Sequence, residues 1–85
     1  MTALMLAVDN RFSIETISEL ISMGSDVNAS DAEGMTSLHN STILGDEKTF
    51  KLLLESGANP DIEDQDGDVV RKMVEDEPKL KTILQ

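Results

Sequence analysis

The chain has 85 residues, no cysteine, tryptophan or tyrosine, and 17 acids against 7 bases, for a net charge of −10. That length holds a single domain near the size where one core becomes marginal. Without cysteine there is no disulfide, thiolate metal site or cysteine nucleophile, and the acidity repels nucleic-acid phosphates and anionic membranes while favouring a basic protein partner or serving solubility alone.

The first residues, Met1 to Val8, are apolar, but no basic region precedes them and Asp9 ends the run. They make a poor export signal, and no stretch reaches membrane-spanning length. Together with the missing cysteines this points to an intracellular compartment, cytoplasmic or nuclear, where the tripeptides Asn28-Ala29-Ser30 and Asn40-Ser41-Thr42 would stay unglycosylated.

Ser13 is a predicted N-cap, followed by Ile14, Ile17, Leu20 and Ile21 at helical spacing, with Gly24 as the stop. A polar stretch runs from Ser25 to Gly34. A two-turn helix follows, carrying Leu38, Ile43 and Leu44 and ending at Gly45. Asp46 caps the next helix, whose buried stripe is Phe50, Leu53 and Leu54, and Gly57 terminates it. After a second polar stretch, Ala58 to Gly67, Pro78 opens a last short helix. Asp76 or Glu77 is placed to cap it.

The chain repeats itself. A shift of 33 residues superposes Thr16 on Thr49, Leu20 on Leu53, Gly24 on Gly57, Asp31 on Asp64 and Gly34 on Gly67. Upstream of Ile14 the shift becomes 34, with Thr2-Ala3-Leu4-Met5 over Thr36-Ser37-Leu38-His39. One extra residue is therefore expected between Val8 and Phe12, in a turn that absorbs it at little cost. Asp31-Ala32-Glu33-Gly34 and Asp64-Gln65-Asp66-Gly67 share one form, read as turn tips projecting from a helical stack.

These features resemble the ankyrin repeat, a unit of about 33 residues with a β-turn, two helices and a Thr-Pro-Leu-His-x-Ala signature. The second unit carries Gly34-Met35-Thr36-Ser37-Leu38-His39 and ends Leu53-Leu54-Glu55-Ser56-Gly57-Ala58-Asn59-Pro60-Asp61. The first begins Thr2-Ala3-Leu4-Met5-Leu6-Ala7, and the third, Gly67 to Val74, looks like a degenerate terminal repeat. The resemblance implies an all-α solenoid of stacked helix-turn-helix units, with repeats over 1–33, 34–66 and a cap over 67–85.

Departures carry expectations of their own. Met5 replaces the signature histidine. Phe12 stands where the inter-helix glycine belongs, so Asn10 is expected to supply the left-handed residue. Thr42, at the place of a small alanine, implies looser packing, and Met1, Leu4 and Leu6 are expected to lack a cover.

The same resemblance implies a protein-binding function through a concave face of tips and first helices. Its variable positions map onto Asp9 and Asn10, onto Ala32, Glu33, Met35, Ile43 and Leu44, and onto Gln65, Asp66 and Asp68. Met35, Ile43 and Leu44 would form an apolar patch inside an acidic border, suited to a basic or amphipathic protein segment. The other reading is a structural spacer or a piece of a longer array. His39, the sole histidine, falls in the slot where the family ties adjacent turns by hydrogen bonds. An EF-hand alignment on Gly67 fails because Ile62 and Met73 take the first and last ligand positions. There is no nucleophile–base pair, phosphate loop or ligand cluster of the spacing that catalysis needs, so neither an enzyme nor a cofactor is expected.

Overall fold

The computed structural model describes residues 2–84. Among them the chain forms α1 (Ala3–Asp9), α2 (Ile14–Ser22), α3 (Ser37–Leu44), α4 (Glu47–Glu55), α5 (Val70–Met73), one turn of 3₁₀ helix (Val74–Asp76) and α6 (Pro78–Leu84). Pairing in the extended conformation is confined to a single antiparallel bridge between Ser30 and Thr36.

Two rows of helices result. The inner row is α1, α3 and α5, each packed on the next; the outer row is α2, α4 and α6. Antiparallel pairs α1–α2 and α3–α4 close the units. Leu4, Val8, Ile17, Leu38, Phe50, Leu53 and Val70 are fully buried between the rows. Each such side chain stabilises the fold by about 1.5–3 kcal/mol. The Phe50–Leu53 stripe read from the sequence is therefore core. So is Leu4, contrary to the expectation of an uncovered N-terminal end, because α2 and α3 both close over α1; Leu6 does stay open. Met1 lies outside the described residues.

The first two units open in the same manner, whereas Val69 at the start of α5 offers no side-chain cap. Thr2 and Thr36 cap α1 and α3, accepting from Met5 N and His39 N. Ser13 and Asp46 cap α2 and α4 as predicted, accepting from Thr16 N and Thr49 N. The backbone carbonyl of Glu77 accepts from Lys81 N at the start of α6.

The turn between paired helices corrects two readings. The left-handed residue of the first unit is Arg11, at φ 54°, whereas Asn10 is at φ −90°, ψ 7°. Arg11 thus matches Gly45, at φ 68°. The next amide closes the turn in both units: Phe12 N donates to Ala7 O and Asp46 N to Ser41 O. In the second unit Asp46 both closes α3 and caps α4. In the first these tasks fall to two residues, Phe12 and Ser13, so the inserted residue sits at that junction, after Arg11 and not before Phe12. The steric cost of Arg11's left-handed backbone is offset by its guanidinium, whose Nη2 donates to Leu44 O at 3.1 Å. A cation there also meets the negative end of the α3 dipole.

Thr42 does not loosen its surroundings. It is buried, and its Oγ1 donates to Leu38 O at 2.8 Å, alongside Ser41 Oγ at 3.0 Å.

Candidate interaction face

The tips are built by one repeated device. Asp31 Oδ1 accepts from Glu33 N at 2.9 Å and Met35 N at 3.0 Å, while Gly34 N donates to Asp31 O. Asp64 Oδ1 accepts from Asp66 N and Asp68 N, both at 2.9 Å, and Gly67 N donates to Asp64 O. A short carboxylate satisfies two turn amides that would otherwise need water. Asp31 and Asp64 are therefore the internal props of their turns, not free surface charges. The acidic side chains left open there are those of Glu33, Asp66 and Asp68.

The two tips stack directly. Gln65 N donates to Glu33 O at 2.8 Å, and a Cβ on Gly34 would fall 2.9 Å from both Asp64 Cα and Gln65 N. Only a glycine lets the second tip lie this close. His39 fixes the same junction from below. Thr36 N donates to Nδ1 at 3.2 Å, which makes Nδ1 the acceptor and leaves Nε2–H to donate to Asp68 O at 3.1 Å. The ring's structural role follows from its two neighbours: it closes a capping box with Thr36 and spans to the next tip. Asn28 bridges the opposite ends of the loops, giving Nδ2 to Gly57 O and taking Asn59 N on Oδ1 at 2.6 Å. At the matching position Asp61 holds Arg71 through two bonds, of 2.7 and 3.1 Å. That hydrogen-bonded pairing keeps the Asp61 carboxyl below its ordinary pKa and raises Arg71.

The candidate residues separate on this framework. Asp9 and Asn10 are exposed at the end of α1, with Asn10 Nδ2 turned back to Leu6 O at 2.8 Å. Ala32, Glu33, Gln65, Asp66 and Asp68 are exposed on the tips. Ile43 is open, at 63% exposure, whereas Leu44 is half-buried against the core and Met35 is half-buried under the tip. The expected Met35–Ile43–Leu44 patch does not form as one surface: Met35 precedes α3 while Ile43 lies near its far end, and Leu44 is half-buried against the core. Leu6, expected to lack a cover but not counted among the binding positions, is 51% exposed on the same inner row. Shifted by 34 it falls on Asn40, which stays partly open even though α3 has neighbours on both sides. Leu6 is thus exposed by its place on the inner helix and not for want of a neighbouring unit.

Charge is segregated along the molecule. Residues 12–47 and 52–70 contain no lysine or arginine. The bases sit on α4 (Lys48, Lys51), on α5 (Arg71, Lys72), on α6 (Lys79, Lys81) and at Arg11. At the second tip, carboxylate oxygens of Asp64, Asp66 and Asp68 lie within 4.8 Å of one another, a concentration of negative charge that the local sequence does nothing to neutralise. Among the described residues, no helix is long and apolar enough to cross a membrane.

Comparison with known proteins agrees with this geometry. A family model described as "Ankyrin repeats (3 copies)" matches residues 1–64. The E3 ubiquitin-protein ligase hecd-1 of Caenorhabditis elegans is 46% identical over 55 residues, which is 65% of this chain and 2% of that protein. The ankyrin repeat domain of Bcl-3, a member of the IkappaB protein family, superposes with a TM-score of 0.87 at 28% identity, over 95% of this chain and 35% of the other. An ankyrin repeat domain from Acinetobacter baumannii gives 0.88 at 32% identity, over 99% of this chain and 46% of the other. The chain thus spans 2% of that ligase and less than half of either solved ankyrin repeat domain.

Proposed function

The chain belongs to the ankyrin-repeat family, and on that footing we propose that it binds a basic protein segment through the face made by its turn tips and inner helices. Domains of this fold are generally protein-interaction modules and typically not catalytic. The observation that carries the finer reading is charge segregation: Glu33, Asp66 and Asp68 project from stacked tips in stretches without a single base. Like charges held close repel, and a cationic partner relieves that repulsion as it docks. Its location would be intracellular.

The test is capture from lysate at low and at high salt by the unmodified chain and by a Glu33→Lys, Asp66→Lys, Asp68→Lys variant. Asp64 is left intact because its carboxylate holds the turn. Proteins retained at low salt only, and lost by the variant, support the proposal. Equal capture by both chains at both salts defeats it.

The small share of its relatives that the chain spans favours a second reading, a spacer whose face contacts neighbouring parts of one larger protein. In that case nothing in the lysate would be retained in a salt-dependent way.

A further inference from the structure

The inner helices leave one stripe each uncovered. On α1 it is Ala3, Leu6, Asp9 and Asn10; on α3 it is Asn40 and Ile43, with Leu44 half-buried beside them. The 34-residue register sets Leu6 beside Asn40 and Asp9 beside Ile43. The C-terminal ends of the two helices lie together, since Arg11 reaches Leu44 O, so this register holds in space. Leu6 and Ile43 therefore stand diagonally across the face, each next to a polar residue of the other helix. They are the large apolar side chains this face exposes, at 51% and 63%.

The diagonal has a definite length. Packed helices lie about 8–10 Å apart, and three residues of rise add about 4.5 Å along the axis. Leu6 and Ile43 are thus separated by about 10 Å. On an extended chain, side chains on one face recur at about 6.6 or about 13 Å, neither of which fits. On an α-helix, residues i and i+7 lie about 10.5 Å apart on nearly the same face.

We infer that this face takes an amphipathic helix of basic character, anchored by two apolar residues seven positions apart that rest on Leu6 and Ile43. This rests on the binding function proposed above and specifies its partner. Charge complementarity selects the occupant: Asp9 flanks the Ile43 anchor, while Glu33, Asp66 and Asp68 rim the end of the face from which α3 starts. Basic residues on the partner's tip-side flank meet Glu33, Asp66 and Asp68, while at the other end Asp9 stands with the Arg11 guanidinium on Leu44 O, and the apolar pair displaces water from the two exposed side chains at the centre.

The experiment measures fluorescence anisotropy of synthetic, lysine-flanked helical peptides. One has leucines at i and i+7, a second has them at i and i+5 on divergent faces, and a third is the first with glutamates for lysines. The i,i+7 basic peptide is expected to bind at least about tenfold tighter than either control. Leu6→Ser and Ile43→Ser are each expected to weaken it by about tenfold, the scale of an interface anchor, with circular dichroism confirming that both variants fold. Equal affinity for the two spacings, or no loss on changing Leu6 and Ile43, overturns the inference. If the acid-to-lysine variant still abolishes binding in that event, the acidic-face function stands without the anchors. If no basic peptide binds at all, both fall.

Discussion

The imidazole of His39 donates from Nε2 to the carbonyl of Asp68 at 3.1 Å, joining the inner helix of one unit to the turn tip of the next. The same ring accepts from Thr36 N, so one buried side chain satisfies its own helix start and the neighbouring repeat. Stability of a stacked array resides in such nearest-neighbour junctions as much as in the units themselves.

His39→Ala is accordingly expected to cost about 3 kcal/mol, combining a cavity with a buried amide and carbonyl left unpaired. Urea denaturation followed by circular dichroism reads this directly. A loss under about 1 kcal/mol would show that the ring does not hold the junction.

Met5 occupies the matching place in α1 and is fully buried. The carbonyl equivalent to that of Asp68 belongs to Met35, since Asp31 N bonds Met35 O as Asp64 N bonds Asp68 O. Met5→His would set Nδ1 against the Thr2 amide and Nε2 against Met35 O. A gain of about 1 kcal/mol is expected, visible as a higher denaturation midpoint at unchanged slope. Destabilisation would mean that α1 lies too far from the second tip for the bond to close.

Gly34 and Gly67 have nearly the same backbone, φ 77° and 79°, but only Gly34 faces a neighbouring tip. Gly67→Ala adds left-handed strain alone, about 1 kcal/mol. Gly34→Ala adds that strain and a Cβ 2.9 Å from the backbone of Asp64 and Gln65. The Gly34 variant should unfold at clearly lower urea than the Gly67 variant. Equal midpoints would mean that the tips part without cost.

The Asp61–Arg71 pair supplies a pH signature. Hydrogen bonding to Arg71 lowers the Asp61 carboxyl pKa below its ordinary value of 3.8. A depressed carboxylate stabilises the folded chain above its unfolded pKa, and the contribution disappears as pH falls through the folded value. The advantage of the unmodified chain over Arg71→Gln should therefore be constant at neutral pH and fade below about pH 4. Carbon-13 NMR titration of the Asp61 carboxyl checks the cause: its midpoint should return toward the ordinary value in the variant. An unchanged midpoint would detach the shift from Arg71.

Much of this architecture was legible in the residue order because ankyrin units are local. A stripe at i, i+3, i+4, a capping hydroxyl or carboxylate and a closing glycine are read within one turn of chain. The 33-residue shift then says that the units repeat. Ser13, Asp46, Phe50 and Leu53 behave as that reading requires.

What the chain order left open concerns neighbours in space. Arg11 could take the left-handed place of a glycine because Leu44 O, 33 residues away, receives its guanidinium. Asp31 and Asp64 look like their exposed neighbours in composition, yet only the closed turn shows their oxygens already engaged by backbone amides. Leu6 and Leu44 are both apolar residues on inner helices. Which one meets solvent depends on where adjacent helices cover each, and coverage arises only when the units stack.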